Sequence, residues 1–480
     1  MDNTVFTLLP LMILVGFSLL VLVADMMLAR EQRPALGIVA LIGVIVSLIS
    51  CSWLWNAPQT AWSDMIVSDH FALFSYIIFL VSTGLTLLLS MRYLSEEDIQ
   101  FGEYYALLLL AATGAMLMAS GLDLMTIFIG LEILSISVYI LAGFARRNER
   151  SLESALKYFL LGAFATGFFL YGIAMVYGAT GTTNIKVISQ VVSEGTIRSQ
   201  SFLWIGIALL VAGFGFKVAL FPFHVWTPDV YEGAPTSVTA FMSTAVKAAG
   251  FAAFGRVFLS ALQPMHADWT GILWILAVFT MFFGNITAIA QRSVKRMLAY
   301  SSIAHAGYML IAIIAGDANL SSGSLLFYLL GYAFTNVAAF GIVIYLSRKG
   351  ETEFDGKDYA GLAIRHPWLA FVMAVCMVSL AGIPPTAGFM GKFYIFSAAI
   401  KAKFYWLAVL GVINSVISVY YYLRVIFVMY FEKPAADYVH GTLSLGMKIV
   451  LILSVIGIFQ LGTVPGSVMA LLQNSMMVFQ

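Results

Sequence analysis

The sequence predicts an all-α polytopic membrane protein: fourteen transmembrane helices with two inverted five-helix repeats, each containing a broken helix. Hydrophobic residues make up 61% of the 480 positions and charged residues only 10%, a balance typical of membrane proteins. Apolar runs of about 20 residues, the length that spans a bilayer, follow one another along the chain. Two of these runs are interrupted by prolines, as in discontinuous transporter helices.

The predicted helices follow one another with ordinary loops between them, and no polar stretch is long enough for a soluble domain. The helices cover residues 5–28, 35–55, 70–92, 104–120, 122–145, 152–178, 202–221, 237–260, 270–290, 297–315, 322–347, 367–400, 404–431 and 447–473. The start, Met1-Asp2-Asn3-Thr4, lacks the basic stretch of a signal peptide. We therefore expect the first apolar run to be a retained membrane helix.

Basic residues concentrate in alternate loops, and this asymmetry predicts the orientation in the membrane. With the N-terminus outside, the inner loops contain Arg30, Arg33, Arg92, Arg146, Arg147, Arg150, Arg292, Lys295, Arg296, Arg348, Lys349, Lys357, Arg365 and Lys433. The outer loops contain only Lys186, Arg198, Lys401 and Lys403. We therefore expect both termini on the outer side.

Two proline-containing segments indicate broken helices. Residues 221–228 follow Lys217, and residues 382–385 precede Lys392. Proline removes a backbone donor, and a membrane tolerates such a break only where protein or a water-filled cavity covers it. The breaks lie five helices apart, and this odd number predicts inverted repeats. The predicted divisions are 1–92 (helices 1–3), 104–260 (first repeat, helices 4–8), 270–431 (second repeat, helices 9–13) and 447–480 (helix 14).

The composition gives no sign of a cofactor, a metal site or a nucleic-acid partner. The net charge is +1, so no strongly basic surface is expected. Cys51 and Cys376 fall inside apolar runs and form neither a CxxC pair nor an iron–sulfur spacing. The sequence contains no glycine-rich phosphate loop after a strand. We therefore expect no cofactor and no metal in this chain.

Four charged residues lie deep inside apolar runs and are the main candidates for function: Glu132, Lys217, Lys247 and Lys392. A charge at such a depth costs about 2.5–3.5 kcal/mol. Buried lysine suits proton transfer because desolvation disfavours its charged form and a nearby carboxylate favours it. We expect Glu132 to be the partner of Lys217. The alternative is a static buried ion pair.

Polar residues at helical spacing accompany these charges and could hold water or pass protons. They form the stripes Glu132, Ser135 and Tyr139; Thr239, Ser243 and Lys247; Ser301, His305 and Tyr308; and Tyr328, Tyr332 and Asn336. His224 and His305 could relay protons near neutral pH, and a structural hydrogen bond is the alternative for both. Lys157 either contributes to proton transfer or extends to the membrane interface.

Other polar and aromatic residues are interpreted as interfacial. We expect Arg256, Arg424, Lys295 and Lys448 to extend from helix ends to the interface. Asp229 and Glu232 are expected to cap a helix or face the aqueous loop. The aromatic clusters Trp53–Trp55 and Tyr420–Tyr422 resemble interface belts.

Several motifs resemble one known group of membrane proteins. They are Phe216-Lys217 with Pro222-Phe223-His224, Trp226 and Pro228-Asp229; Ala234-Pro235-Thr236; the run Lys295–Tyr308; Leu380–Pro385; and Gly388-Phe389 with Lys392. The sequence is similar, from about 104 to 431, to the antiporter-like subunits of proton-pumping NADH:quinone oxidoreductase (respiratory complex I) and of multisubunit sodium/proton antiporters. Residues 155–164 and a lysine at 392 favour the bacterial relatives of mitochondrial subunit 2.

The resemblance implies a proton-translocating subunit of a bacterial inner-membrane complex. It implies that Glu132 and Lys217 form a half-channel pair, that Lys247 is the connecting lysine, and that Lys392 is the lysine of the exit side. Lys157 and His224 match positions of secondary importance. NADH, FMN, iron–sulfur clusters and quinone are then expected in other subunits, with subunits M and K as neighbours.

Two alternatives remain open from the sequence. The first is a subunit of a cation/proton antiporter, or of a ferredoxin- or other donor-linked complex. The second is a structural spacer with vestigial buried charges. The burial cost of about 3 kcal/mol per charge makes the spacer the weakest hypothesis.

Overall fold

The computed structural model describes residues 3–29, 32–56, 58–316, 318–347, 356–434 and 442–473. The predicted loop residues Arg30, Arg348 and Lys349 lie outside the described residues, as do Met1, Asp2 and residues 474–480. The described chain is helical almost throughout, so the predicted all-α membrane fold is confirmed.

The first half of the chain forms α1 (Asn3–Met27), α2 (Pro34–Leu54), α3 (His70–Glu96), α4 (Gly102–Ser120), α5 (Leu124–Ala142), α6 (Glu149–Thr180), α7 (Ile185–Ser193), α8 (Gln200–Val218), α9 (Trp226–Gly233), α10 (Thr236–Phe241) and α11 (Lys247–Arg256). The second half forms α12 (His266–Ala290), α13 (Val294–Ala315), α14 (Ala318–Leu346), α15 (Leu362–Arg365), α16 (Pro367–Ala381), α17 (Ala387–Lys401), α18 (Tyr405–Phe431), α19 (Leu445–Thr463) and α20 (Gly466–Gln473). A hairpin of β1 (Thr60–Ala61) and β2 (Ile66–Val67) joins α2 to α3.

Thirteen helices of the described chain are long and apolar enough to cross a membrane. The predicted helix at 367–400 is two shorter helices, α16 and α17, separated at the predicted proline break. The count of fourteen and the two repeats stay predictions. The predicted loop 179–201 contains the short helix α7, which the sequence reading missed.

The helices that contain Lys247 and His305 form the interior of the bundle. The membrane helix Thr236–Ala261 is built from α10, a π-helical turn, α11 and a second π-helical turn, and its apolar stretch is wholly buried. In α6 and α18 only about a third of the apolar stretch or less is buried. Small residues such as Ala248, Ala249 and Gly250 make this central position possible, because they let helix backbones approach closely without lipid between them.

Two glycines bring α4 and α5 into backbone contact and thereby fix the position of Glu132. A Cβ on Gly114 would lie 2.6 Å from Leu134 N, and a Cβ on Gly130 would lie 2.8 Å from Met118 N. Neither backbone could move away without disturbing its helix. α5 is therefore held against α4 two residues before Glu132.

Candidate functional site

The first candidate cluster, the Lys217 site, consists of Glu132, Ser135 and Lys217. Lys217 is 4% exposed and its Nζ donates a hydrogen bond to Ser135 Oγ at 2.8 Å. Glu132 lies one turn before Ser135 on α5. Glu132 Oε1 is buried without a hydrogen-bond partner. Ser135, one turn from the predicted acid, thus joins Lys217 to the helix that contains Glu132.

A small cavity adjoins the Lys217 site between α5, α6 and α8. Its wall includes Ser135, Tyr139, Thr166 and Lys217. Its size is close to that of one water molecule. Ser135 and Tyr139 of the predicted stripe on α5 therefore line a cavity that Lys217 shares.

The helix break beside Lys217 is satisfied by protein groups. Ala219 adopts a left-handed conformation, with φ 64° and ψ 49°, and ends α8. The exposed backbone groups find partners: Phe221 N–H donates to Thr280 Oγ1 at 2.9 Å, and the Trp226 indole donates to Phe216 O at 3.0 Å. Lys217 lies in the last turn of α8, where the helix dipole favours a positive charge.

Lys247 follows directly on the π-helical turn Met242–Val246, a distortion that often marks functional positions. The lysine is 2% exposed. Its Nζ donates to Ser302 O at 2.6 Å and to Ser302 Oγ at 2.5 Å. These bonds join the central helix of the first half to α13 of the second half.

His305 lies one turn after Ser302 and is held by two tyrosines. Its Nδ1 is 2.6 Å from the Tyr328 hydroxyl, and its Nε2 is 3.1 Å from the Tyr422 hydroxyl. The Tyr422 hydroxyl also lies 2.5 Å from Ser301 Oγ. Ser302 binds Lys247, so His305 lies one helical turn from the residue that holds this lysine.

Polar contacts continue from Tyr422 towards Lys392. Tyr421 is the neighbour of Tyr422, and their ring centroids are 4.3 Å apart. The Tyr421 hydroxyl donates to Asn285 Oδ1 at 2.9 Å, and Asn285 Nδ2 donates to the Tyr308 hydroxyl at 3.2 Å. Lys392 Nζ lies 4.9 Å from the centre of the Tyr308 ring, within the range of a cation–π interaction.

These contacts make a continuous series of polar side chains, which we name the polar chain. It consists of Lys247, Ser302, His305, Tyr422, Tyr421, Asn285, Tyr308 and Lys392. Each member touches the next or neighbours it on one helix.

Lys392 is held at the second helix break. Its Nζ donates to Leu380 O and Ala381 O, each at 3.0 Å, and to Ser415 Oγ at 2.8 Å. Gly382 ends α16 with φ 82°, and a Cβ there would lie 2.8 Å from Lys392 Cδ. Glycine is therefore required both by the turn and by the approach of the lysine.

The Lys217 site and the polar chain meet at a tightly packed contact between helices. A Cβ on Gly250, one turn after Lys247, would lie 2.8 Å from Val218 Cγ1 and 3.3 Å from Lys217 Cγ. The absence of a side chain at Gly250 lets α8 carry Lys217 against the helix that carries Lys247.

Two other predicted residues lie apart from this arrangement. His224 is buried and packs against Phe221 and Phe283, with ring centroids 5.6 and 4.7 Å away, and its Nδ1 has no hydrogen-bond partner. Lys157 Nζ lies 2.7 Å from both Glu153 and Asp229 at the edge of the bundle. Lys157 therefore belongs to a partly exposed ion network.

The same network contains the two acids that were expected to cap a helix or face the loop. Arg296 lies 3.0 Å from Asp229 and 2.5 Å from Glu232. Both acids thus link α9 to α13 through ion pairs. In the described chain, no three His, Cys, Asp or Glu side chains are grouped in a way that could hold a metal ion.

Two interfacial predictions for basic residues are wrong. Arg256 is fully buried and binds Asp69 through two nitrogens, at 2.5 and 2.8 Å. Lys295 is 2% exposed and donates to Ala234 O at 3.0 Å. Both side chains find acceptors on another element, and the local sequence cannot reveal such acceptors. Arg424 is half-buried and Lys448 is exposed.

The aromatic prediction for Tyr420–Tyr422 is also wrong in two of its three positions. Tyr420 is 60% exposed, whereas Tyr421 and Tyr422 are fully buried in the polar chain. A signal was present: Asn414, Ser418 and Tyr421 recur at helical spacing on α18 and share its buried face.

Comparisons with known proteins agree with this architecture. Residues 121–418 match the family model described as NADH:quinone oxidoreductase/Mrp antiporter, transmembrane. The chain is 47% identical over 466 residues to NADH-quinone oxidoreductase subunit N of Trichlorobacter lovleyi, covering 97% of this chain and 96% of the relative. It is 43% identical over 472 residues to subunit N 2 of Roseiflexus castenholzii, covering 97% and 95%.

Solved structures share the fold. A chain of respiratory complex I from Thermus thermophilus with bound aureothin is 34% identical, with TM-score 0.82, over 96% of this chain and 98% of that one. A chain of the Mrp complex from Dietzia sp. DQ12-45-1b has TM-score 0.84 over 99% and 97% at 19% identity, which shows the fold alone.

The broken helices, the buried lysines and the family match define an antiporter-like membrane subunit. Within that class, the chain belongs to the NADH-quinone oxidoreductase subunit N family.

Proposed function

We propose that this chain conducts protons within the membrane arm of a NADH-quinone oxidoreductase, the enzyme named for its relatives. The observation that carries the proposal is the polar chain, which links two buried lysines of different helices through His305. A row of buried polar groups is costly in a bundle of apolar helices. Proton transfer gives it a use, because its hydroxyls and its imidazole can both accept and donate a proton, whereas the Asn285 amide holds Tyr421 and Tyr308 in place.

The roles follow from the local contacts. Glu132 and Lys217 act as the entry pair, since the acid is unbonded at Oε1 and the lysine adjoins a cavity of about the size of one water molecule. Lys247 passes charge to the second half through Ser302. Lys392, at the second break, is the exit group. His305 relays, whereas His224 and Lys157 lie outside the polar chain and have supporting roles at most.

The energy source lies outside this chain. We propose that NADH, FMN, iron–sulfur clusters and quinone are held by other subunits and that this subunit binds no cofactor. Subunits M and K are the proposed neighbours in the membrane arm. The termini are proposed on the outer, periplasmic side of a bacterial inner membrane because the predicted inner loops contain most of the basic residues.

The two predicted repeats remain part of the proposal, and one packing detail supports them. Gly114 and Gly130 bring α4 and α5 into backbone contact. Gly284 does the same for α12 and α13, where a Cβ would lie 2.6 Å from Ala304 N. These helix pairs would be the first two helices of each repeat.

The test is Lys247→Ala in the assembled complex, with proton pumping into vesicles and quinone reduction measured side by side. We expect assembly to be retained and pumping per electron to fall. Lys448→Ala is the matched control, since Lys448 is exposed. Normal pumping by fully assembled Lys247→Ala would favour the spacer hypothesis. Sodium-dependent pumping without quinone reduction would favour the antiporter alternative.

A further inference from the structure

A second cavity lies between the α12–α13 loop and the end of α18. It shares no residue with the Lys217 site. Its volume is about 220 Å³. Its polar wall is formed by Arg292, Arg424 and Glu432, and its apolar wall includes Val294 and Val428. The cavity thus presents charged groups and hydrocarbon surface to the same occupant.

The Tyr359 hydroxyl is the strongest sign that something binds there. Tyr359 lines this cavity and is fully buried, yet its hydroxyl has no hydrogen-bond partner. An unpartnered buried hydroxyl costs about 1–3 kcal/mol, so such groups usually have a ligand or a water. Burial raises the pKa of this phenol. It therefore stays protonated and can donate to an acceptor.

The charges around the cavity select an anionic occupant. Arg292 is exposed, and Arg424 donates to Ile289 O at 2.9 Å and Gln291 O at 2.6 Å. These two bonds orient the guanidinium and leave further N–H groups of its five. The cavity wall thus contains two arginines and one carboxylate, that of Glu432. The N-terminus of the 22-residue α13 also begins at this wall, and its dipole favours an anion.

The neighbouring surface places the cavity at the level of lipid headgroups. On the exposed face of α18, Phe427 and Phe431 are 55% and 75% exposed, with ring centroids 5.2 Å apart. Tyr430, next to Phe431, is 42% exposed, and tyrosine concentrates where membrane and water meet. An occupant that lies between these rings and the arginines would have an apolar body beside a negative head.

We propose that this cavity binds the headgroup of an anionic phospholipid, with the phosphodiester on Arg292 and Arg424 and a hydrogen bond from Tyr359. The glycerol and upper acyl chain lie along Val294 and Val428. Basic pockets between membrane helices bind anionic lipids in this way. The proposal is independent of the proton-conducting role, because none of these residues belongs to the polar chain.

The test uses the whole complex in nanodiscs and a phosphatidylglycerol with a photoreactive diazirine near the top of its acyl chain. We expect labelled peptides from the start of α13 and the end of α18. Phosphatidylcholine with the same diazirine should label them at least fivefold less. Arg292→Gln should reduce phosphatidylglycerol labelling about fivefold, and Tyr359→Phe about twofold to threefold.

Lys448→Gln is the matched control because it removes one exposed positive charge outside the cavity, and it should label normally. Equal labelling by both lipids, or labelling unaffected by Arg292→Gln, would overturn the proposal. So would cross-links to a neighbouring subunit in place of lipid.

Discussion

Two acid–base pairs differ sharply in their geometry. Asp69 and Arg256 are both fully buried and are joined by two direct contacts, and Arg256 also donates to Ala119 O at 3.1 and 2.8 Å. Glu132 and Lys217 form no such doubly bonded ion pair, because the lysine binds Ser135 and the acid keeps an unbonded oxygen. A pair built for stability satisfies its donors, whereas the Lys217 site leaves its acid free to exchange a proton.

The two lysines at the helix breaks differ in the same sense. Lys217 has a serine hydroxyl and a nearby acid, whereas Lys392 is bound by two backbone carbonyls and Ser415. Fixed carbonyl dipoles at a helix end stabilise a cation without changing their own charge. We infer that Lys217 responds to the protonation of Glu132 and that Lys392 responds to charge arriving through His305.

The largest expected effect comes from breaking the Asp69–Arg256 ion pair. Asp69→Asn leaves the buried Arg256 cation without a counter-charge, and removal of one partner of a buried pair costs about 3–5 kcal/mol. We expect loss of assembled complex and a lower dissociation temperature, measured by native gel and thermal melting. Asp25→Asn is the control, since the Asp25–Arg33 pair is 3.1 Å apart and partly exposed. Equal stability of the two variants would contradict the distinction.

Glu132→Gln should have the opposite effect: the complex should remain stable, but proton pumping should decrease. The glutamine keeps the shape, so assembly should be close to normal, but Lys217 loses the negative charge that supports its ammonium form. We expect pumping per assembled complex to fall about tenfold, measured as pH-dye quenching in vesicles. Glu96→Gln, at an exposed ion pair with Arg92, is the control. Wild-type pumping by Glu132→Gln would mean that the acid is not part of the entry pair.

Removing the hydroxyl from each lysine sharpens the comparison of the two breaks. Ser135→Ala removes the hydrogen bond on Lys217, whereas Ser415→Ala leaves Lys392 with both carbonyls. A hydrogen bond to a charged group contributes about 1.5–3 kcal/mol. We expect a pumping loss of about fivefold for Ser135→Ala and less than twofold for Ser415→Ala. The opposite order would show that the carbonyls do not hold Lys392.

The last predicted effect lies within the polar chain. Tyr422→Phe removes the hydroxyl that joins Ser301 and His305 while keeping the ring. We expect a loss of about threefold in pumping rate, partly offset by water in the vacated space. Tyr394→Phe is the control, because that half-buried tyrosine on α17 packs against Phe327. Equal rates for both variants would remove Tyr422 from the route.

The sequence predicted those features that are energetically unfavourable whatever the neighbouring helices are. Charges within apolar runs located Lys217, Lys247 and Lys392, and prolines located the breaks, because each is unfavourable wherever the helix lies. It did not predict the burial of Arg256 or Tyr422. Their environment depends on which face of a helix meets which neighbour, and on acceptors such as Asp69 that lie 187 positions away in the chain.

The central claim is that Lys217 and Lys392 serve one route in series. It is tested most directly by comparing Lys217→Ala, Lys392→Ala and the double variant for protons pumped per electron in the same vesicles. One route predicts that the double variant loses no more than the more severe single variant, since a second break in a series adds nothing. Losses that add up in the double variant would show two independent routes and contradict the account.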